Sequence, residues 1–342
     1  MKDKNSKDKT SKDKNNKYYK HYTYHVNWMT YSKQHQSSNQ HKMQNQGLKY
    51  NNSLDIPTVK TFESFKESLQ DKPKKQENNQ WIIIDASSII FRYFYANIDP
   101  NGKNINNYSA INGFCKIVLN FLHSSVLQGQ VVVVFDGAKK NFKKNFNGAY
   151  KGKRKALPEE LKNQLLLAEE FCIQSKIFFD KHILYEADDL IASYATQLPG
   201  TIYIVAYDKD FFQLINNRIF LWDYRKNLKI DTQWIFEKYG LYPDKMVDFW
   251  CLVGDMSDNL NGVYGIGKQR ATKLLKDYGS LEEIIKSPLG AKHDFQTAMK
   301  LRRIITLKTD IIIKSFQTQD YVDFVKMNEF LRRLNNNGGL FA

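Results

Sequence analysis

The fold is decided at residues 81–88, which read Trp-Ile-Ile-Ile-Asp-Ala-Ser-Ser. A run of large apolar residues without polar alternation predicts a strand that is buried on both faces, as in a parallel sheet. Runs of the same kind follow at 131–135 and 202–205. Helix-length amphipathic stretches lie at 109–127 and 158–175. This alternation predicts an α/β fold with a parallel sheet.

The last third of the chain has a different pattern. From about residue 232 the strand signals cease, and amphipathic stretches predict helices at 232–239, 244–253, 270–278 and 295–307. We therefore expect an α/β core over residues 80–240 and a helical region over residues 241–342.

The first 79 residues differ in composition from the rest. Residues 1–80 hold 16 Lys, no Arg and 8 acidic residues, and so carry more than half of the net charge of +15. We expect residues 1–79 to form a disordered, solvated tail, with room for one short helix at 59–69, because such a segment buries too little apolar surface to fold. Asp3, Asp8 and Asp13 argue against a mitochondrial presequence, and the lack of an apolar run argues against a secretory signal.

Composition also limits the classes of function. With 51 Lys and Arg against 36 Asp and Glu, the chain favours phosphate-rich partners, nucleic acid first among them. Cys115, Cys172 and Cys251 have no spacing typical of a zinc site or a disulfide framework, which predicts a reducing, intracellular compartment. No apolar run approaches the roughly 20 residues of a membrane span, so we expect a soluble protein.

Acidic residues follow each of the three predicted strands. Asp85 and Asp136 follow the first two, and Asp208 and Asp210 follow the third. Because ligands of open α/β sheets bind beyond the carboxyl ends of the strands, these acids are expected to converge at one edge. Two further groups join them, namely Glu186, Asp188 and Asp189 at the start of an amphipathic helix, and Asp255 and Asp258 one helical turn apart.

Nine carboxylates gathered in a basic protein would repel one another without counter-ions. Oxygen-rich sites of this kind suit Mg²⁺ or Mn²⁺, and two such ions can activate water and stabilise the leaving oxygen in phosphodiester cleavage. The alternative is that each acid is an ordinary strand end, helix cap or surface residue. The recurrence of acids after all three strands favours the metal site.

A basic segment without acidic residues follows Asp136. Between residues 137 and 158 it contains Lys139, Lys140, Lys143, Lys144, Lys151, Lys153, Arg154 and Lys155, with Phe142, Phe146 and Tyr150 interleaved. Basic side chains hold a phosphate backbone and aromatic rings stack on splayed bases, so the segment predicts a contact with single-stranded nucleic acid. The alternative is a solvated loop whose aromatic residues pack as a helix stripe.

A glycine-rich turn precedes a basic amphipathic helix. Gly265 and Gly267 are spaced as in a helix-hairpin-helix, whose backbone N–H groups meet a DNA phosphate without reading the sequence. Lys268, Arg270 and Lys273 add positive charge. A plain helix-capping turn is the alternative.

Together these motifs resemble the 5′-3′ exonuclease and flap endonuclease family, in particular the nuclease domain of bacterial DNA polymerase I and its phage relatives. The resemblance covers about residues 80–335. It rests on Asp85-Ala-Ser-Ser, Val-Phe-Asp136, Tyr150-Lys-Gly-Lys-Arg154, Tyr185-Glu-Ala-Asp-Asp189, Asp208-Lys-Asp210, Gly254-Asp-Met-Ser-Asp258 and Gly262-Val-Tyr-Gly-Ile-Gly267. It implies a PIN-like, resolvase-like parallel sheet flanked by helices, a helical arch at about 137–160, and a C-terminal helix-three-turn-helix at about 255–278.

The resemblance also implies roles for single residues. The tighter metal site is matched by Asp85, Asp136, Glu186 and Asp188, with Asp189 shared, and the second site by Asp208, Asp210, Asp255 and Asp258. Lys151 and Arg154 match the catalytic basic pair at the base of the arch. The turn that contains Gly265 and Gly267 matches the grip on the duplex, where K⁺ is often bound in the family. From their charge and aromatic rings we expect further DNA contacts at Tyr150, Lys143, Lys144, Lys268, Arg270 and Lys273.

Three positions depart from the family pattern. Ala206-Tyr207 stands where Thr or Ser and a small residue are usual, Leu184 replaces a Gly, and Gln269-Arg270 stands where Lys-Thr is common. None of the three changes a predicted metal ligand. Because 342 residues leave no room for a polymerase domain, we expect a stand-alone nuclease.

The expected function is a structure-specific nuclease that removes 5′ ends or 5′ flaps of DNA by two-metal-ion hydrolysis, in primer removal, replication and repair. Expected partners are DNA at a junction between single strand and duplex, and RNA primers, and the expected state is a monomer. The alternatives are a non-catalytic DNA-binding protein on the same fold and a small ribonuclease on a similar sheet. The nine acids disfavour the first and the glycine hairpin disfavours the second.

Overall fold

The structure, a computed structural model, describes residues 79–99, 108–124, 127, 129–137, 143, 150–151, 156–290, 293–315 and 322–336. The tail predicted for residues 1–79, with its short helix, lies outside the described residues apart from Asn79. Of the arch predicted at 137–160, the described residues are Gly137, Lys143, Tyr150, Lys151 and those from 156 onward.

A six-stranded sheet forms the centre of the α/β core. Its strands are β1 (Gln80–Asp85), β2 (Gln130–Phe135), β3 (Phe179–Lys181), β4 (Thr201–Val205), β5 (Ile219–Asp223) and β6 (Leu228–Ile230). The spatial order is β3-β2-β1-β4-β5-β6, in which β6 alone runs antiparallel to its neighbour. The predicted parallel sheet is confirmed. The sequence of β5 has an apolar run like those of the predicted strands, whereas β3 is too short to give such a signal.

The topological switch of the sheet lies beside β1. From β1 the chain moves to β2 and β3 on one side, and it then returns to β4 on the other. The parallel registers pair Asp85 with Val134 of β2, and Ile84 with Val205 of β4. The carboxyl ends of the three strands therefore lie side by side, next to the crevice in which open α/β sheets bind ligands.

The central strand β1 is buried on both faces. Ile82 and Ile84 pack into a core with α1 (Ala86–Ala96), α2 (Ser109–Leu122) and α3 (Glu159–Gln174). Trp81 and Ile83 pack into a second core with α4 (Ala187–Gln197) and the helices that follow the sheet. Burial on both sides explains why β1 does not alternate between apolar and polar residues. The helices predicted at 109–127 and 158–175 are confirmed as α2, which ends earlier, and α3.

The helical region follows the sheet as predicted. It contains α5 (Thr232–Tyr239), α6 (Met246–Val253), α7 (Lys268–Tyr278), α8 (Leu281–Lys286), α9 (Gln296–Ile305) and α10 (Phe324–Asn336), with 3₁₀ turns at Lys209–Leu214, Pro243–Lys245 and Met256–Asp258. The four predicted helices are confirmed as α5, α6, α7 and α9. The unpredicted α10 packs back on the first core, where the ring of Phe330 meets Phe171 of α3.

Two further findings bear on the expectations from composition. Within the described part of the chain, no helix is both long and apolar enough to cross a membrane. Cys115, Cys172 and Cys251 are all free thiols and all buried, so the described residues include no disulfide.

A short ladder connects α6 to α7. Its strands are β7 (Gly254–Asp255) and β8 (Leu260–Asn261), which are antiparallel. Gly254 has a φ of 82°, and a Cβ atom there would lie 2.3 Å from the backbone nitrogen of Gly262. A Cβ atom on Gly262 would lie 2.3 Å from the carbonyl carbon of Val253. This close backbone approach fixes Asp255 relative to the glycine-rich turn that follows β8.

Candidate active site

Asp85 is the last residue of β1 and caps the N-terminus of α1. Its carboxylate accepts a hydrogen bond from the backbone N–H of Ser88 at 3.0 Å, and the residue is 3% exposed. Burial, with smaller contributions from the charges of Asp208 and Asp136, raises the pKa of Asp85 to about 6. The carboxylate is therefore held where its charge is costly, as happens in sites that receive a cation.

The helix that Asp85 caps also positions Asp136. The backbone N–H of Asp136, directly after β2, donates a hydrogen bond to the hydroxyl of Ser87 at 2.7 Å. The Asp-Ala-Ser-Ser sequence therefore places two predicted ligands, one through the cap of α1 and the other through a side chain of its first turn.

Asp188 and Asp208 lie close to Asp85. Asp188 is in the first turn of α4, and Asp208 caps the 3₁₀ turn after β4 by accepting from the N–H of Asp210 at 2.9 Å. Burial, followed by the charges of Asp208 and Asp85, raises the pKa of Asp188 well above its usual range. These three carboxylates and Asp136 form one group, which we call the first acid group.

A second acid group also includes Asp208. Burial, then the charges of Asp208, Asp255 and Asp258, raise the pKa of Asp210 well above its usual range. Asp208 therefore interacts with members of both groups. Asp208 is thus the electrostatic neighbour of acids from separate strands and loops, whereas the convergence of all nine acids on one site stays a prediction.

Glu186 has a different environment from these aspartates. The hydroxyl of Tyr150 donates to it at 2.9 Å, and the ammonium groups of Lys151 and Lys143 lie 2.5 Å and 3.5 Å from its oxygens. Burial raises the pKa of Glu186, but the charges of the two lysines, together with the hydrogen bonds from Lys151 and Tyr150, hold the pKa below its usual value. Glu186 is thus kept ionised by lysines in this conformation.

Asp189 is fully buried and connects three parts of the chain. Its carboxylate lies 3.1 Å from the ammonium of Lys143 and accepts from the backbone N–H of Lys308 at 3.0 Å. Ser193, one turn later in α4, accepts from the N–H of Ile311. Asp189 therefore holds the segment after α9 against α4, a contact that its sequence context did not predict.

Asp255 also has a lysine partner. Lys209 Nζ lies 2.9 Å from its carboxylate, which in addition accepts from the N–H and hydroxyl of Ser257. Burial raises the pKa of Asp255, but Lys209 and these hydrogen bonds bring it below its usual value. The backbone carbonyl of Asp258 accepts from the N–H of Lys151 at 3.3 Å, which brings the predicted arch base to the same loop.

These pairings separate the predicted ligands. Among the described residues, no three Asp, Glu, His or Cys side chains converge closely enough to surround a metal ion. Three of the predicted ligands, Glu186, Asp189 and Asp255, are instead paired with the ammonium groups of Lys143, Lys151 and Lys209. The donor set nevertheless fits a hard divalent cation, because it offers carboxylate oxygens whose mutual repulsion such a cation would relieve.

The two described arch residues beside Lys151 are not on the surface. Tyr150 is 3% exposed and Lys143 is 2% exposed, and both point at Glu186. This differs from the DNA contacts predicted for them, because here their polar atoms satisfy a buried carboxylate. Lys144 and Arg154, a predicted DNA contact and a predicted catalytic residue, lie outside the described residues.

The glycine-rich turn has the conformation that its sequence predicts. Gly265 has a φ of 77°, and Gly267 caps α7 at a position where an added Cβ would meet nothing within 4 Å. Lys268 and Lys273 are exposed on α7. The exposed Arg270 does not project freely, because its guanidinium donates to the carbonyl of Gly265 at 3.2 Å and lies 3.1 Å from His293 Nε2.

Sequence reasoning missed several residues around the acids. One of them is Lys209, which pairs with Asp255. Its position between the two acids of the Asp-Lys-Asp motif is a signal that could have identified it. Arg225 stacks on the ring of Tyr207 at 3.4 Å and forms an ion pair with Asp223 at 3.1 Å, which accommodates the bulky residue before Asp208. No local signal pointed to this contact. Of the other departures, Leu184 is exposed and so is Gln269.

Comparisons with known proteins identify the family of the chain. The sequence matches the family described as 5′-3′ exonuclease, N-terminal resolvase-like domain, over residues 80–240, and 5′-3′ exonuclease, C-terminal SAM fold, over residues 241–322. It is 33% identical over 259 residues to a 5′-3′ exonuclease of Buchnera aphidicola subsp. Baizongia pistaciae, covering 69% of this chain and 84% of that protein. It is 31% identical over 265 residues to DNA polymerase I of Rhizobium leguminosarum, covering 70% of this chain. The chain spans about a quarter of that relative, 25% of its length.

A solved structure shares the fold. The bacteriophage T5 flap endonuclease, in a complex with DNA and metal ions, is similar with a TM-score of 0.56 and 19% identity, over 74% of this chain and 98% of that one. This likeness and the matched domains confirm the resolvase-like fold with a helical second region. On the evidence of the two matched domains and the Buchnera relative, the chain belongs to the 5′-3′ exonuclease family.

Proposed function

We propose that this chain hydrolyses phosphodiester bonds of DNA at 5′ ends and 5′ flaps, with divalent cations as cofactors. The observation that carries the proposal is that Asp85, Asp188 and Asp210 are buried near Asp208 at the carboxyl edge of the sheet, where burial, and to a smaller extent the charge of Asp208, raises the pKa of all three. The fold itself does not require these buried carboxylates, whose ionised form costs free energy. Membership of a family of 5′-3′ exonucleases supports the same activity.

The residues that would hold the cations are the nine predicted acids. The first acid group and Glu186 suit one ion, with Asp189 beside them, and the group around Asp210 suits a second. Mg²⁺ or Mn²⁺ fits because the donors are hard carboxylate oxygens. Bound there, the cations supply Lewis acidity that lowers the pKa of water and offsets charge on the leaving oxygen. A K⁺ ion at the glycine-rich turn stays a prediction from the resemblance.

Lys151 is assigned to the scissile phosphate. Its ammonium group forms an ion pair with Glu186. Because the lysine side chain is flexible, the ammonium group can move from that carboxylate to a phosphate oxygen of the substrate. The exchange would free Glu186 at the moment when substrate brings its own negative charge. Arg154 is proposed to act with Lys151, and the turn of Gly265 and Gly267 to hold the duplex arm through backbone N–H groups.

The substrate proposed is DNA with a 5′ flap or a 5′ end at a junction between single strand and duplex. RNA primers are included, because the acid edge reads the phosphodiester and not the base. A role of this activity in replication and repair is proposed from these substrates. A monomeric state, boundaries near residues 80 and 240, and an intracellular compartment complete the proposal, the last supported by three buried free thiols.

The test is cleavage of a 5′-labelled flap duplex by the purified chain, with Mg²⁺ and with EDTA. The wild type should release the flap only with Mg²⁺. Asp188→Ala should abolish release while leaving the binding of the duplex in Ca²⁺ largely intact, since it removes a charge that repels phosphate. Asp244→Ala, which alters an exposed acid outside the site, is the matched control and should cleave normally. Release in EDTA, or by Asp188→Ala at the wild-type rate, would refute the proposal.

The second candidate function is structure-specific DNA binding without catalysis. It is favoured by the lysines that already neutralise Glu186 and Asp255. The same assay separates the two functions, because a binding protein would retain the flap duplex and never release a labelled product, in Mg²⁺ or in Mn²⁺.

A further inference from the structure

Lys209 contacts an acidic and an aromatic side chain at once. Its Nζ lies 2.9 Å from the carboxylate of Asp255 and 4.3 Å from the centre of the Trp250 ring. Lys209 begins the 3₁₀ turn that follows β4, whereas Trp250 lies on α6 and Asp255 on β7. One cation from the α/β core is thus held by two side chains of the helical region.

The ring of Trp250 is fixed by packing. It is 5% exposed, and it makes edge-to-face contacts with Phe249 and Tyr239, at 4.8 Å and 5.9 Å between ring centres. Its indole N–H is buried and has no acceptor among the described residues. Burial of an unpaired N–H costs free energy that a phenylalanine ring would not cost, whereas the indole face attracts a cation more strongly than that ring does. The tryptophan therefore suits the ammonium group of Lys209 and not a hydrogen bond.

The carboxylate that Lys209 contacts belongs to the second acid group. Asp210, Asp255 and Asp258 line one small cavity, and Trp250 lines it with them. A divalent cation bound to Asp255 would lie close to the ammonium group of Lys209, and the two positive charges would repel each other. The lysine and a divalent cation therefore compete for the same carboxylate.

We propose that Lys209 is a built-in counter-ion of the second acid group, and that a divalent cation binds Asp255 only by displacing its ammonium group. The ring of Trp250 keeps the displaced ammonium group beside the site, and so keeps it in competition with the cation. Lys209 and Trp250 are thus positioning residues, which act through Asp255 and set the concentration at which a second cation binds. The inference rests on the proposed function in taking a divalent cation as the ligand of this group.

The test counts bound Mn²⁺ by electron paramagnetic resonance, with the purified full chain and no DNA. Wild type should bind Mn²⁺ in two phases. Lys209→Met should leave the first phase unchanged and lower the concentration that half-saturates the second about 10-fold, because it removes a charge-assisted contact that the cation must break. Trp250→Leu should lower it about 3-fold, and Trp250→Phe, which keeps an aromatic face, should restore most of the wild-type value. The matched control is Lys162→Met, which removes an exposed lysine paired with Glu159 at 2.8 Å and should change neither phase.

A second readout follows the fluorescence of Trp250 during a titration with Mg²⁺. The emission should change as the second acid group fills, because the charge beside the ring moves when Lys209 leaves Asp255. The change should be lost in Trp250→Phe and in Lys209→Met. It should be kept in Trp234→Phe, the matched control, since Lys238 lies over that ring at 4.4 Å in the same kind of contact but outside both acid groups.

Two results would overturn this role. One is a second Mn²⁺ phase that is equal in Lys209→Met and wild type, as a purely structural ion pair would give, and the other is a fluorescence change that persists in Trp250→Phe. If Trp250→Leu fails to fold, Lys209→Met still decides, because the side chain of Lys209 is 31% exposed. A chain that shows both signals and cleaves no DNA would refute the proposed function and keep this inference. A chain that cleaves while Lys209→Met binds Mn²⁺ as the wild type does would refute the inference alone.

Discussion

Replacing Asp85 by Asn should stabilise the protein in the absence of divalent cations at neutral pH. The carboxyl group is 3% exposed, and its pKa is raised from 3.8 to about 6, mainly by burial. Because the folded chain binds this proton more tightly than the unfolded chain, the free energy of unfolding falls as the pH rises through this interval. At 1.36 kcal/mol per pH unit, the full cost above pH 7 is about 3 kcal/mol. Asn keeps an oxygen that can accept from Ser88, so the cap of α1 is preserved.

The assay is urea unfolding of wild type and Asp85→Asn in EDTA at two pH values. Part of the cost is already present at about pH 4.5, so the advantage of the variant should grow by about 2 kcal/mol between there and about pH 7.5. Asp231→Asn is the control, since Asp231 caps α5 by the same kind of bond, to the N–H of Trp234 at 3.0 Å, outside both acid groups. It should show no such growth.

An advantage of equal size at both pH values would refute the reasoning, because it would mean that the charge of Asp85 costs nothing in the folded state. A second measurement closes the argument. Adding Mn²⁺ should stabilise the wild type more than Asp85→Asn, since a bound cation offsets the cost of the buried charge only where the carboxylate is present.

The remaining predictions concern lysines and glycines. Lys143→Met removes the cation between two buried carboxylates and should lower the free energy of unfolding by about 3–5 kcal/mol, whereas Lys162→Met, at an exposed pair, should cost under about 1 kcal/mol in urea unfolding. Lys151→Ala should slow single-turnover cleavage about 100-fold with little change in Kd, and a change in Kd alone would reverse its role. Gly254→Ala should cost about 2–4 kcal/mol because its Cβ would meet backbone at 2.3 Å. Gly267→Ala should leave the melting temperature unchanged and weaken duplex binding, and a lower melting temperature would contradict the open space found there.

The sequence predicted those elements whose signal is local. Strand β1 and its two neighbours were predictable because burial on both faces leaves an uninterrupted apolar run, and the position of Asp85 followed from the end of that run. Strand β3 was not predictable, since its three residues are held in place by pairing with β2 and have no apolar pattern of their own. Helix α10 lies at the end of the chain, and what fixes it is the contact of its Phe330 with the core.

The acids of the site could be predicted and their partners could not. Parallel strands bring their carboxyl ends together, so the convergence of Asp85 and Asp208 follows from topology alone. The pairing of Glu186 with Lys151 joins residues 35 positions apart, with helix α3 and strand β3 between them. The contact of Asp189 with Lys308 spans 119 positions. Contacts of this range depend on how the second region packs on the sheet, and no local spacing encodes them.

The type of cation beside each carboxylate fits its role. Asp223, outside the nine acids, is held by the guanidinium of Arg225 in a two-pronged contact, which suits a permanent structural pair. Glu186 and Asp255 are instead held by lysines, whose compact ammonium groups and flexible stems can leave without breaking a rigid fork. The lysines lower the pKa of both carboxylates and so keep them ionised, and each carboxylate can then accept a divalent cation in place of the lysine. Asp85, Asp188 and Asp210 have raised pKa values instead, because burial and then the charges of neighbouring acids make their ionised form costly, and a cation would offset that cost. A divalent ion entering this edge would therefore gain from both kinds of acid, and the ammonium of Lys151 that it displaces would be released next to the phosphate it is proposed to bind.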